Sequence, residues 1–161
     1  MPPHPDSRIR RLLLALIVIG IAGLAVELAL LEHTESATQW IPFAALGAAL
    51  VTVVAVAARG TRATVRAMQG VMAACVAVGV LGLWLHYRGN VEFELETDPS
   101  LRGLALVWEA LRGATPALAP GALAQLGLLG LLYTYRHPAL DRQAPDLAGA
   151  RGAGSNSQET Q

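Results

Sequence analysis

The chain has 161 residues, of which 53% are hydrophobic and only 15% charged, and its twelve basic and twelve acidic residues cancel. Soluble proteins carry about 25% charged residues, so the composition argues against a soluble domain, and zero net charge excludes a global attraction to nucleic acid. A single cysteine excludes an intrachain disulfide, a thiol redox pair and a haem-attachment motif.

The first element is an apolar stretch, Leu12–Leu31, preceded by Arg8, Arg10 and Arg11. A cleavable signal would also start with basic residues. This apolar run is longer than the roughly 7–15 residues of a signal core, however, and no small-x-small site follows it. It is read as a retained helix. Three further apolar stretches follow at Trp40–Ala58, Ala67–Leu85 and Pro116–Tyr133. Each falls within the roughly 17–25 residues that a helix needs to cross a bilayer. The expected fold is therefore an all-α integral membrane protein: a four-helix transmembrane bundle over residues 1–137, with a disordered cytoplasmic tail over 138–161.

Arginine sets the orientation. With both termini in the cytoplasm, Arg8, Arg10, Arg11, Arg59, Arg62, Arg66, Arg136, Arg142 and Arg151 lie inside, and only Arg88, Arg102 and Arg112 lie outside. That is the bias seen in inner-membrane proteins. Trp40, Phe43, Trp84, Tyr87, Phe93 and Trp108 then gather at the outer ends and Tyr133 and Tyr135 at the inner end, the headgroup levels such rings prefer.

Small residues are expected to let the helices approach closely. They include Gly20, Gly23, Gly70, Gly79, Gly82, Gly121, Gly127 and Gly130, with pairs four apart at Ala44/Ala48, Ala45/Ala49, Gly70/Ala74 and Ala117/Gly121. Cys75 is read as a small residue packed in a helix interface. Thr52 and Gln125, near mid-membrane, are read as hydrogen-bonding between helices.

The third connection, Tyr87 to Thr115, has internal structure. Val91-Glu92-Phe93-Glu94-Leu95-Glu96 alternates strictly, which predicts an extended segment with three carboxylates on one face. Leu101, Leu104, Ala105, Trp108 and Leu111 are spaced for one face of a helix, which predicts an amphipathic outer cap helix between the third and fourth spans, lying on the outer membrane surface or capping the bundle. The endings Leu30-Leu31-Glu32-His33 and Leu83-Trp84-Leu85-His86 echo one another and suggest two related hairpins.

All candidate chemistry lies on the outer side. His33 and His86, with Glu35 and Glu92, form a possible ligand set for a divalent metal. The same two histidines are also possible axial ligands of a haem. Glu27, about one turn inside the outer end of the first helix, pairs with His86 as a possible ion or proton site, with Arg88 as a second candidate partner. Glu92, Glu94, Glu96 and Trp108 are the expected partner-binding residues. No phosphate-binding glycine loop, nucleophile arrangement or metalloprotease helix motif occurs, so no enzymatic activity is expected. Two functions compete: an accessory or interaction component with an extracytoplasmic recognition cap, whose partners are the bilayer and a membrane protein or a second copy; and a small proton- or cation-linked carrier or sensor. A redox or haem protein is a third option.

Overall fold

A computed structural model describes residues 5–32, 34–113 and 118–141. Every regular element among the described residues is helical: α1 (Pro5–Leu30), a short 3-10 turn (Ala37–Gln39), α2 (Trp40–Arg59), α3 (Arg62–Thr97), α4 (Gly103–Arg112), α5 (Leu118–Thr134) and the single turn α6 (Pro138–Asp141). Three helices are long and apolar enough to cross a membrane: α1, the 3-10 turn continuing into α2, and α3. The apolar helix α5 is shorter, at 17 residues.

Local chemistry sets the breaks. Gly60 closes α2 in the left-handed region (φ 55°), where its N–H donates to Val56 O at 2.9 Å. Glycine adopts that conformation without the Cβ clash other residues meet. Thr61 then caps α3: its hydroxyl accepts from the Thr64 N–H at 3.3 Å, while Thr64 Oγ1 accepts from the Thr61 N–H at 3.0 Å. Capping from both directions fixes so tight a turn that α2 and α3 must run antiparallel. At the far end of α2, Gln39 Oε1 accepts from the Ser36 N–H at 2.9 Å and holds the 3-10 turn.

The helices close into a ring, with α3 against α2 and α5, and α1 against α2 and α5. Buried positions recur at alternating steps of three and four: Ile17, Ile21, Leu24 and Leu28 on α1; Leu46, Ala49, Val53 and Val56 on α2; Val65, Met68, Met72, Cys75 and Gly79 on α3. That step is the seam of left-handed bundle packing. The residues between the seams are also apolar but exposed, including Leu12, Ile19, Val51, Val54, Leu81 and Leu128. An apolar exterior around an apolar seam suits lipid as the surrounding solvent.

Glycine governs the α3–α5 crossing. A Cβ on Gly79 would lie 2.6 Å from Pro120 O and from Ala124 N, and one on Gly127 would lie 2.6 Å from Met72 O. Met72 packs directly over Gly130, and Leu126 over Gly20. Other small residues do nothing of the kind: Gly23 and Gly70 face open space, and Ala44, Ala48 and Ala74 are exposed. Of the expected pairs, Ala45/Ala49 meets a neighbour, with Cys75 Sγ 3.8 Å from Ala45 O; Gly121 faces Leu83, and its partner Ala117 lies outside the described residues. Cys75 is indeed buried between helices. Thr52 bonds its own helix, at Ala48 O and Ala49 O, and Gln125 is exposed, so neither ties two helices together.

The beginning of α1 meets the end of α5. The Arg10 guanidinium donates to the carbonyls of Tyr133, Tyr135 (3.2 Å) and Arg136 (3.0 Å), and sits 5.9 Å over the Tyr133 ring. These carbonyls have no acceptor role left in the helix, and a cation there also suits the negative end of the helix dipole. One end of the bundle thus gathers Arg8, Arg10, Arg11, Arg59, Arg62, Arg66 and Arg136, and is called the arginine end below. The opposite, acidic end carries Glu27, Glu32, Glu35 and the α3–α4 region.

Two expectations are corrected. Val91–Glu96 is not extended; it continues α3, which runs unbroken for 36 residues. A lone strand would leave its backbone groups unpaired, whereas helix satisfies them internally and Glu and Leu favour it. The echo between the endings of the first and third spans fails for the same reason: α1 stops at Leu30, with Glu32 in the left-handed region (φ 51°), while α3 passes through His86 without a break. At the other terminus, Pro138–Asp141 forms a helical turn with Ala139 buried, and the remaining tail, 142–161, lies outside the described residues.

Candidate functional site at the acidic end

The level of the acidic end is marked by Trp40, paired with Phe43 at 5.5 Å between ring centroids, and by Trp84, paired with Tyr87 at 6.3 Å. Both tryptophans are more than half exposed. Beyond them α3 continues. At 1.5 Å per residue its 36 residues span about 54 Å, against about 30 Å of hydrocarbon. The surplus is the stretch from Tyr87 to Thr97, and α4 folds back on it.

The hairpin turn is built from Asp98 and Ser100. The Ser100 hydroxyl and N–H both donate to Asp98 Oδ1, at 2.6 and 2.9 Å, and hold that carboxyl below the usual carboxylate range. Arg102 donates to Pro99 O and Leu101 O. The seat of α4 is Asn90, which is 4% exposed; its Nδ2 donates to Ala110 O at 3.0 Å. Gly113 leaves room for that side chain, since a Cβ there would lie 2.6 Å from Asn90 Cγ. Small groups thus bring the backbone of α4 close enough for a buried amide to bond it.

This seating turns the apolar stripe of α4 outward. Ala110 is buried, but Leu104, Trp108 and Leu111 are 87%, 59% and 63% exposed. Phe93 on α3 is also exposed. Of the residues spaced for one helical face, Leu104, Ala105, Trp108 and Leu111 lie on α4 and are exposed, while Leu101 precedes the helix; the face does not cover the bundle.

The carboxylates are redistributed by the helix. Glu92 and Glu96, four apart, share a side, while Glu94 lies about 200° around from Glu92 and is partly covered. Glu92 accepts from Arg88 Nε at 3.0 Å, an exposed i,i+4 pair. Arg88 therefore pairs within α3. Glu27 is exposed, its neighbours Leu24 and Leu28 taking the buried side of α1; Glu35 is exposed in the first connection. His33 lies outside the described residues. Among those described, no three His, Cys, Asp or Glu side chains gather closely enough to hold a metal.

His86 belongs to a feature that spacing did not reveal. A cavity of about 580 Å³ opens at the acidic end between α1, α2, α3 and α5. Its walls are apolar, with Leu24 and Leu28 from α1, Val78 and Gly82 from α3 and Leu123 from α5; Thr38, Gln39 and His86 bring polar groups to it. No spacing rule exposes such a site, because leucine, glycine and proline line it just as they line the core.

No family model matches the chain, and neither a curated protein nor a solved structure matches it.

Proposed function

We propose that the chain is a four-span inner-membrane protein, both termini cytoplasmic, that acts as a non-enzymatic accessory or interaction component through its α3–α4 hairpin. The observation that carries this reading is the outward-facing apolar stripe Leu104–Trp108–Leu111 on a helix anchored by a buried amide. A helix that only capped the bundle would turn that stripe inward. Exposed aromatic and aliphatic side chains on a preorganised element, with exposed Arg88, Glu92 and Glu96 on the supporting helix α3, have the make-up of a protein interface. The arginine end faces the cytoplasm in this reading. Partner recognition uses a helical face rather than an added strand, because the acidic segment is helix. The carrier reading has less support: Glu27 is exposed, and the α1 side of the cavity is Leu24, Leu28 and Leu31.

The test is affinity purification of the full-length protein from native membranes. One stoichiometric protein is expected to co-purify, to be lost by more than about tenfold in Trp108→Ser, as for a central interface aromatic, and to be retained in Glu27→Gln. Persistence of that protein in Trp108→Ser, or recovery of no partner, would overturn the proposal.

A further inference from the structure

The cavity at the acidic end has dimensions and polarity that the hairpin does not use. On the α3 wall of the cavity Val78 and His86 are eight positions apart, about 12 Å along the helix axis. That is most of the depth of one leaflet, half of a roughly 30 Å hydrocarbon layer. Polarity varies along this length. Thr38, Gln39 and His86 lie at the level of Trp40 and Trp84, while Val78, Leu24 and Leu123 form the deeper part.

A void of about 580 Å³ far exceeds the sub-water gaps of a packed interior, and apolar walls hold water poorly. Its mouth is framed by Leu31, Ile41, Leu81 and Leu85, which line the cavity and are each about half exposed. An opening bordered by leucine and isoleucine admits molecules from the lipid side. What fits is long, apolar and polar at one end only.

We propose that this cavity binds one acyl chain of a phospholipid from the adjoining leaflet. The chain runs along α3 from His86 toward Val78, with the ester and headgroup at the hydroxyl, amide and imidazole of Thr38, Gln39 and His86. These groups offer hydrogen bonds rather than a fixed charge, so they suit ester carbonyls as well as phosphate oxygens. The proposal rests on the acidic end lying at the membrane interface, and is independent of any protein that the hairpin recognises.

The test uses the full-length protein in vesicles of phosphatidylethanolamine and phosphatidylglycerol doped with a phosphatidylethanolamine whose palmitoyl chain carries a photoactivatable diazirine. Pro42 and Val78 line the cavity and are partly covered, so a chain inside it touches them while lipid around the bundle meets chiefly the exposed positions. Adducts mapped on these residues, above the level on the outward-facing Val51 and Val54, are the expected result in the wild type. Gly89 offers a clean block, because a Cβ there meets nothing within 4 Å and the position is helical. Gly89→Phe is expected to lower the cavity adducts about tenfold while leaving those on Val51 and Val54 unchanged; Gly89→Ala is expected to keep both. Adducts confined to Val51, Val54 and other outward positions would overturn the proposal. So would cavity adducts that persist in Gly89→Phe, or labelling by diazirine-bearing palmitic acid but not by the phospholipid. Loss of the hairpin's protein partner would alter none of these readings.

Discussion

Gly127→Leu is expected to separate α3 from α5 and to abolish most of the cooperative unfolding of the purified protein. The Cβ alone would sit 2.6 Å from Met72 O and 2.9 Å from Val76 N, both backbone atoms that cannot turn aside. Overpacking of an ordinary core costs about 1–3 kcal/mol. Here the obstacle is a facing helix, so a loss at the top of that range or beyond is expected. Lipid offers no hydrophobic compensation for a lost helix contact, because the freed surface meets hydrocarbon either way. Thermal unfolding in detergent checks this, with Gly23→Leu as the matched control. Gly23 meets nothing within 4 Å, and leucine there should leave the midpoint unchanged or raise it, since glycine is the poorer helix former. Equal midpoints for the two variants would contradict the packing described.

The second large effect is expected at Asn90. Asn90→Leu keeps the approximate volume but removes the donor to Ala110 O in a buried position. Losing a buried partner costs about 1–3 kcal/mol. A ten-residue helix held mainly by this seat has little else to retain it, and helices that short are marginal on their own. Amide exchange across 103–112 should accelerate strongly in this variant, while exchange in the seams of α1 and α3 stays slow. Because the variant spares the bundle, it also separates a need for the hairpin in partner recognition from a need for the membrane domain.

The three long apolar helices and the gathering of arginine at one end of the bundle were legible from apolar run length and arginine placement. Those signals come from solvation by lipid and headgroups, which acts on each residue independently of its neighbours. The helix interfaces were not legible. The spans are apolar on every side, so no polar face marks the outside, and Gly70 looks no different from Gly79 until the fold puts α5 beside one and open space beside the other. Thr52 illustrates the same limit: its hydroxyl has a carbonyl partner within its own helix, so a polar residue at mid-span need not point at another helix.

The period-two pattern of Val91–Glu96 misled for a different reason. Six alternating residues fit a strand, but a strand needs a neighbour, and the helix arriving from Arg62 satisfies the same backbone at once. That change carries through to function. It replaces one acidic edge by a helix whose carboxylates point in different directions, and it makes α3 the support on which α4 rests. The outward turn of the α4 stripe followed from Asn90, Ala110 and Gly113, three residues whose roles depend on meeting each other across twenty or more positions of sequence.

The most direct test of the central claim, that the α3–α4 hairpin stands outside the membrane opposite the arginine end, is cysteine labelling in intact cells with a membrane-impermeant maleimide. In a Cys75→Ala background, single cysteines replace Glu96 near the tip of α3 and Ala63 at its start, both exposed positions. Glu96→Cys is predicted to label in intact cells, and Ala63→Cys only after the membrane is permeabilised. Labelling of both from the same side, or of Ala63→Cys alone in intact cells, would contradict it.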